Sequence, residues 1–151
     1  MQCDKEPSPR HPPFFGVKHG TKFIKKNWAH KNNDLDSLLL VGSYASNKAH
    51  QDSDIDLVLI FNDPKKYVNN LDWIKEFSEI ERYKIEHWGR VTSIRTWYKN
   101  GIEVEFGITS AEWAGIPVDN GTFRVVSDGS KILVDKSKKL EQLLLEVKKV
   151  K

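Results

Sequence analysis

Two short apolar runs constrain the fold of this chain more than any other feature. The first occupies residues 36–41 (DSLLLV) and ends at a Gly-Ser pair, and the second occupies 54–61 (DIDLVLIF) and begins with Asp54 and Asp56. Apolar runs of this length, bounded by turn residues, are typical of buried β-strands. We therefore predict two buried strands, each with polar residues at one end.

The remaining patterns predict helices and a hairpin around these strands. Apolar residues at near-helical spacing predict a first helix, an Asp-Pro pair starts a second, and leucines at i, i+3, i+4 and i+7 mark a last one. Asn100-Gly101 between two alternating runs predicts a hairpin with a type I′ turn. The expected elements are helices over 17–30, 64–79 and from 140 onward, hairpin strands over 91–99 and 102–109, and a short strand near 131–134, with a loop around Trp113 and Pro117. This order is typical of an α/β (α+β) protein, a mixed sheet of about four to five strands with helices packed on it.

Length and composition bound the domain organisation and the environment. A chain of 151 residues fits one domain. Four of the six prolines fall within residues 1–13, which we predict to be a flexible tail before a single domain over 14–151. The only cysteine, Cys3, excludes an internal disulfide, and neither a secretory signal nor an apolar run long enough for a membrane span is evident, so we expect a cytoplasmic protein. The net charge of +3 tolerates an anionic ligand but gives no strong nucleic-acid signal.

Carboxylates gather on the predicted sheet. Side chains alternate along a strand, so Asp54 and Asp56 share one face, and Glu103 and Glu105 share one face of the hairpin. If these strands are neighbours, three or four carboxylates meet on one patch. Two unit charges about 4 Å apart repel by roughly 4 kcal/mol at an effective dielectric near 20, so protons or cations must neutralise them. Oxygen ligands without His or Cys favour Mg²⁺ over zinc.

The Gly-Ser pair adds a candidate anion site next to this patch. Gly42 follows a buried strand and lets the backbone approach a ligand closely, while the following N–H groups and the Ser43 hydroxyl offer donors. Phosphate groups beside carboxylate-held Mg²⁺ are what two-metal phosphoryl or nucleotidyl transfer requires.

At these residues the sequence resembles the polymerase-β-type nucleotidyltransferase superfamily. It is most similar to small bacterial members whose signature is Gly-Ser, a spacer and Asp-x-Asp, and ten residues separate Ser43 from Asp54 here. The resemblance covers roughly residues 23–108. It implies the nucleotidyltransferase fold, with Gly42 and Ser43 holding the triphosphate of an NTP and with Asp54 and Asp56 binding metal, two Mg²⁺ ions being expected.

The resemblance also implies a third carboxylate near the acceptor. Glu105, in Val-Glu-Phe, is the expected residue for both metal binding and catalysis, and Glu103 is the alternative two positions away. The implied reaction is in-line attack of an acceptor hydroxyl on the α-phosphorus, which transfers an NMP (AMP from ATP is expected) and releases pyrophosphate.

The acceptor and the partners stay open at this point. The acceptor is either a small molecule, of aminoglycoside-like or lincosamide-like type, or a hydroxyl of a protein. A dimer mate or another protein is expected to complete the acceptor pocket. The alternative function is an antitoxin-type regulatory protein that binds a partner and modifies it with AMP or masks it. The intact Ser43, Asp54 and Asp56 argue against an inactive nucleotide-binding module.

Overall fold

A computed structural model describes residues 26–50 and 53–150 of the chain, which contain both helices and strands. The strands are β1 (Leu35–Val41), β2 (Ile55–Phe61), β3 (Ile80–Trp88), β4 (Val91–Tyr98), β5 (Glu103–Thr109) and β6 (Ser130–Asp135). The α-helices are α1 (Lys26–Lys31), α2 (Gly42–Ala45), α3 (Pro64–Asn69), α4 (Asn120–Asp128) and α5 (Lys139–Val150). Two 3₁₀ helices span Asp72–Glu76 and Ala111–Ala114.

The strands of the described residues form one six-stranded mixed sheet, in the order β3-β4-β5-β2-β1-β6. The pair β2 and β5 is parallel, and every other neighbouring pair is antiparallel. The two apolar runs predicted from the sequence are β1 and β2, which lie side by side inside the sheet. The predicted α/β class is confirmed, and the sheet has slightly more strands than the sequence indicated.

Both faces of the central strands are covered, which is why β1 and β2 are apolar along nearly their whole length. On the first face, Ile55, Leu57 and Leu59 pack in a cluster with aromatic residues of the segment between β2 and β3. On the second face, Val58 and Ile60 pack against α4 and α5. The second-face cluster comprises Leu39, Val41, Val58, Ile60, Trp113, Ala114, Val126, Leu140, Leu143 and Val147. Asp56 and Glu105 therefore belong to the second face, since they alternate with first-face residues.

The turn between β4 and β5 differs from the type I′ turn that Asn100-Gly101 predicts. Gly101 N donates to Tyr98 O (3.0 Å) and Tyr98 N donates to Ile102 O (2.9 Å), so three residues rather than two form the loop. Gly101 has a φ of 90° and Asn100 does not have a positive φ, whereas type I′ requires both. Trp97 thus pairs with Glu103. Tyr98 faces the first-face core, where its hydroxyl donates to Ile74 O (2.7 Å).

The helix predicted over 64–79 is divided into α3 and a 3₁₀ helix. Asn70, the first of the two residues between them, is extended (φ −132°, ψ 112°). This bend lets the Trp73 indole enter the first-face core, where its N–H donates to Tyr67 O (2.9 Å) and its ring packs on Phe106. Asp63 occupies the predicted N-cap position, but its side chain accepts no capping hydrogen bond; only its backbone carbonyl accepts, from Lys66 N (3.3 Å).

The sequence prediction lacked the strand β3, the helix α4 and the 3₁₀ helix Ala111–Ala114. β3 is an edge strand whose side chains are mostly exposed on both faces, so it lacks the burial that produces a periodic pattern. α4 occupies part of the segment predicted as a loop, and its N-cap Asp119 accepts from Gly121 N and Thr122 N. The helix predicted over 17–30 is described only from Lys26 onward, and the predicted tail over 1–13 lies outside the described residues.

Candidate functional site

One row of residues crosses the second face of the sheet and brings the candidate residues together. Val41 lies opposite Asp56 in the β1–β2 pair, Asp56 lies opposite Glu105 in the β2–β5 pair, and Glu105 lies opposite Arg95 in the β5–β4 pair. The polar members stand where β2 begins and β1 ends. The row thus joins β1 and β2 to the distant hairpin of β4 and β5 in one site.

Three carboxylates converge at this row. Asp54, Asp56 and Glu105 each offer an oxygen, and these three oxygens all lie within 4.8 Å of one another. Asp54 stands just before β2, on the same side as Asp56 because strand side chains alternate. The convergence predicted from the sequence is therefore present in the fold.

Asp56 is the carboxylate most affected by this arrangement. Burial, followed by the charge of Asp54, a hydrogen bond with Asp54 and the charge of Glu105, raises its pKa from 3.8 to about 9, while Arg95 opposes the rise. A carboxyl group that is buried beside like charges is stabilised when a proton or a cation neutralises it. The cluster therefore favours a bound cation.

Gly42 brings the backbone directly against this cluster. It follows β1, begins α2 and has a φ of 76°, a conformation that side chains with a Cβ rarely adopt. A Cβ at this position would collide with the Asp56 carboxylate. Ser43 is the next residue of α2 and is half-buried. The sequence-predicted pair thus borders Asp56, and glycine is required there for two separate reasons.

Glu105 and Glu103 occupy different environments, although both lie on the second face. Glu105 accepts from Ser93 Oγ (2.8 Å) and from Arg95 Nη2 (3.0 Å) and still presents an oxygen to the two aspartates. Glu103 instead accepts from Arg95 Nη1 (2.9 Å). Glu105, and not Glu103, belongs to the group whose oxygens converge.

Sequence reasoning missed Arg95 and Glu86. Arg95 contacts four carboxylates: besides the two β5 glutamates, Asp54 Oδ2 lies 3.5 Å from Nη1 and Glu86 Oε1 lies 3.7 Å from Nε. In the two-residue hairpin register, Arg95 would lie opposite Phe106 and on the other face. The three-residue loop is the signal that places it opposite Glu105.

A cleft of about 760 Å³ adjoins the carboxylates on the second face. Asp56, Glu105 and Gly42 form part of its lining, so its occupant lies beside the converging oxygens. Gly107, next but one to Glu105 on β5, leaves room in the floor because it has no side chain. The rest of the lining includes Val58, Trp88, Arg90, Val91, Trp113, Asp119, Thr122, Val125 and Asp128. The cleft combines an apolar floor with acidic and aromatic walls.

The donor set fits a hard divalent cation. All three converging groups are carboxylates, which suit Mg²⁺ or Mn²⁺ better than zinc or copper. The raised pKa of Asp56 indicates the negative field that such an ion would neutralise. Asp54, Asp56 and Glu105 are thus the residues that could hold it.

The comparison with protein families identifies the class. Residues 21–106 match the family model described as a nucleotidyltransferase domain, which is more than half of the chain. The chain belongs to this family, and the predicted enzyme class, a nucleotidyltransferase, is confirmed. The matched range contains β1, β2 and the carboxylates of the site.

Solved structures with a similar arrangement are much larger proteins. An aminoglycoside 6-adenyltransferase from Bacillus subtilis is 13% identical, with a TM-score of 0.49, over 62% of this chain and 35% of that chain. The Cid1 poly(U) polymerase bound to MgATP is 16% identical, with a TM-score of 0.47, over 63% and 32%. The polymerase core of TRAMP, an RNA surveillance complex, is 20% identical, with a TM-score of 0.42, over 60% and 28%. The matched segment spans about a third of these structures, and likeness at this level identifies neither substrate nor acceptor.

Two further findings complete the comparison. Among curated proteins, none matches this chain significantly. Within residues 26–50 and 53–150, no helix combines the length and apolar character needed to cross a membrane.

Proposed function

We propose that the protein is a Mg²⁺-dependent nucleotidyltransferase that moves an NMP, AMP from ATP, onto a hydroxyl acceptor. The acceptor oxygen forms a bond to the α-phosphorus, the bond from that phosphorus to the bridging oxygen breaks, and pyrophosphate leaves. The observation that carries this proposal is the convergence of Asp54, Asp56 and Glu105 beside the backbone at Gly42.

The residues of the site would bind metal, bind the triphosphate and accept a proton. Asp54 and Asp56 would hold two Mg²⁺ ions, which supply positive charge to the phosphates and to the leaving pyrophosphate. Gly42 and Ser43 would hold the triphosphate by close approach of their backbone, because no side chain separates Gly42 from Asp56. Glu105 would complete the metal site and accept the proton of the acceptor hydroxyl, and its bond from Ser93 supports this orientation.

The cleft supports a place for the acceptor within this chain. It shares Asp56 and Glu105 with the proposed metal site, so a hydroxyl group of its occupant would reach the α-phosphate. Its apolar floor suits the body of a small molecule or of a side chain. Its acidic walls at Asp119 and Asp128 disfavour a second polyphosphate.

Label transfer tests the proposal directly. The protein is incubated with each of the four α-³²P-labelled NTPs and Mg²⁺ or Mn²⁺, alone, with cell lysate and with small polyhydroxyl compounds. We expect a labelled product and released pyrophosphate, most efficiently with ATP. Asp56→Asn removes one metal ligand at nearly unchanged size and should abolish the transfer. Asp63→Asn is the matched control, because Asp63 is exposed and lies outside the site.

The outcomes separate the proposal from its alternative. A labelled small molecule or a labelled protein identifies the acceptor class. Absence of transfer with every nucleotide and every acceptor source, from a folded protein that binds Mn²⁺, would overturn the proposal. Capture of a partner without label would then favour the antitoxin-type function, in which the partner is masked.

A further inference from the structure

Five carboxylates surround one cation on the second face of the sheet. Arg95 lies at the centre of β4, and the carboxylates come from β3, β5 and β2 and from the segment that precedes β2. The carboxylates are those of Asp54, Asp56, Glu86, Glu103 and Glu105. Only three of the five, Asp54, Asp56 and Glu105, have converging oxygens. A structural feature must therefore keep Glu86 and Glu103 out of the group that could bind an ion.

The Arg95 guanidinium lies between the converging carboxylates and the others, because it bonds to one of each. Its Nη2 bonds to Oε1 of Glu105 (3.0 Å), while its Nη1 bonds to Oε2 of Glu103 (2.9 Å). Two nitrogens of one rigid planar group thus hold the two glutamates of β5 apart and in fixed directions. Ser93 fixes the other oxygen of Glu105 (2.8 Å), so the orientation of Glu105 is set from two sides.

We propose that Arg95 is a positioning residue that orients Glu105 toward the ions and keeps Glu103 away from them. The inference rests on the proposed function, because it concerns how that same site is assembled. Arg95 touches neither nucleotide nor acceptor in this scheme and acts through Glu105.

Arg95 contributes through the fixed directions of its hydrogen bonds, and not through its positive charge alone. Lysine would keep the positive charge, but its single ammonium group cannot bond to two carboxylates in fixed directions. Arg95→Lys should therefore resemble Arg95→Gln. Removal of Glu103 should have little effect while Arg95 is present. In the Arg95→Gln background, however, Glu103→Gln should restore part of the function, because the freed Glu103 no longer competes with Glu105.

The test uses two readouts on the full chain: Mn²⁺ binding by electron paramagnetic resonance, which needs no turnover, and steady-state label transfer. In Arg95→Gln and Arg95→Lys, we expect the Mn²⁺ dissociation constant to change at least threefold. Alternatively, the population of bound ion that gives the wild-type spectrum should change at least threefold. We expect kcat to fall at least tenfold and the KM for the NTP to change less than threefold, because Gly42 and Ser43 are unaltered. Arg82→Gln is the matched control: Arg82 lies on the same sheet face, stacked over Trp97 (3.8 Å), and both readouts should stay at wild-type values.

Each outcome decides the inference. Wild-type Mn²⁺ binding and kcat in Arg95→Gln would overturn it, and so would recovery of both by Arg95→Lys, which would make charge sufficient. Where Arg95→Gln does not fold, Arg95→Lys and the Ser93→Ala variant, which removes only the other bond to Glu105, supply the same two readouts. If the wild type binds Mn²⁺ but transfers no label, the proposed function fails. Mn²⁺ binding by the Arg95 variants still tests whether Arg95 positions Glu105.

Discussion

Replacing Asp56 by asparagine should stabilise the ion-free protein while it removes the activity. The pKa of Asp56 is raised from 3.8 to about 9 by burial and by the neighbouring carboxylates. At pH 7.5 the folded protein therefore holds a proton on this group that the unfolded chain releases. Binding that proton costs free energy, and asparagine avoids the cost because it is neutral at nearly the same size.

The magnitude follows from the distance between the working pH and the ordinary pKa. At about 1.4 kcal/mol per pKa unit, an isolated group would contribute close to 5 kcal/mol at pH 7.5. Asp56 shares its proton with Asp54 and water reaches the cluster, so we expect about 2 kcal/mol. For a domain of this size, that gain corresponds to a rise of roughly 4–8 °C in Tm.

The pH dependence has a defined sign. A pKa raised in the folded state gives a contribution to stability that is complete below the ordinary value of 3.8 and is lost as the pH rises through about 9. The Tm of Asp56→Asn minus that of the wild type should therefore be small at pH 5 and widen up to pH 9. Differential scanning fluorimetry in EDTA measures both quantities across this range.

Addition of a divalent ion should reverse the order. Mg²⁺ or Mn²⁺ should raise the Tm of the wild type by binding to the folded state and should raise that of Asp56→Asn much less. Asp63→Asn serves again as the control and should follow the wild type within about 0.5 kcal/mol. The reasoning is refuted if Asp56→Asn is less stable than the wild type in EDTA at pH 7.5, or if the ions stabilise both proteins equally.

Three further substitutions examine the backbone approach, the core and the cleft. Gly42→Ala should lose transfer activity, and the folded protein should be destabilised by more than the roughly 1 kcal/mol expected for a left-handed residue, because the added Cβ meets Asp56. Gly89→Ala is the control: Gly89 has a φ of 60° and a Cβ there meets nothing within 4 Å, so urea unfolding should show only the backbone cost. Equal losses in the two variants would exclude the close approach. Tyr98→Phe should cost about 1–2 kcal/mol in urea unfolding, because a buried carbonyl loses its 2.7 Å donor, and should leave Mn²⁺ binding unchanged. Val125→Trp should fill the cleft and raise the acceptor KM by roughly tenfold, about 1.4 kcal/mol, at unchanged Mn²⁺ binding; an unchanged acceptor KM would place the acceptor elsewhere.

The central part of the fold could be predicted because burial leaves a pattern in the sequence. β1 and β2 are covered on both faces, so their apolar runs and polar ends are visible without a structure. Alternation along β2 then places Asp54 and Asp56 together, whatever the neighbouring strands are. The edge strand β3 has no such pattern, because its backbone bonds to β4 while its side chains remain exposed.

The surroundings of the carboxylates depended on a turn that residue preferences did not determine. Asn100-Gly101 is compatible with loops of two or three residues, and a change of one residue exchanges the faces of β4. In the observed register Ser93 and Arg95 face Glu105, while Tyr98 enters the core. The difference between Glu103 and Glu105 therefore required the structure, in which Glu105 is the one whose oxygen converges with those of Asp54 and Asp56.

The fold constrains the proposed metal site and the walls of the cleft to different degrees. The residues proposed to hold the ions stand on buried strands, where a change alters the core and the chemistry together. The cleft walls at Trp88 and Asp128 stand on an edge strand and at a helix end, where exposed side chains can change at little cost to stability. Acceptor choice should therefore be separable from metal binding. Substitutions in these walls should change which hydroxyl compound is labelled while the Mn²⁺ affinity stays constant. If the same substitutions abolish both labelling and Mn²⁺ binding, the walls and the metal site depend on each other structurally.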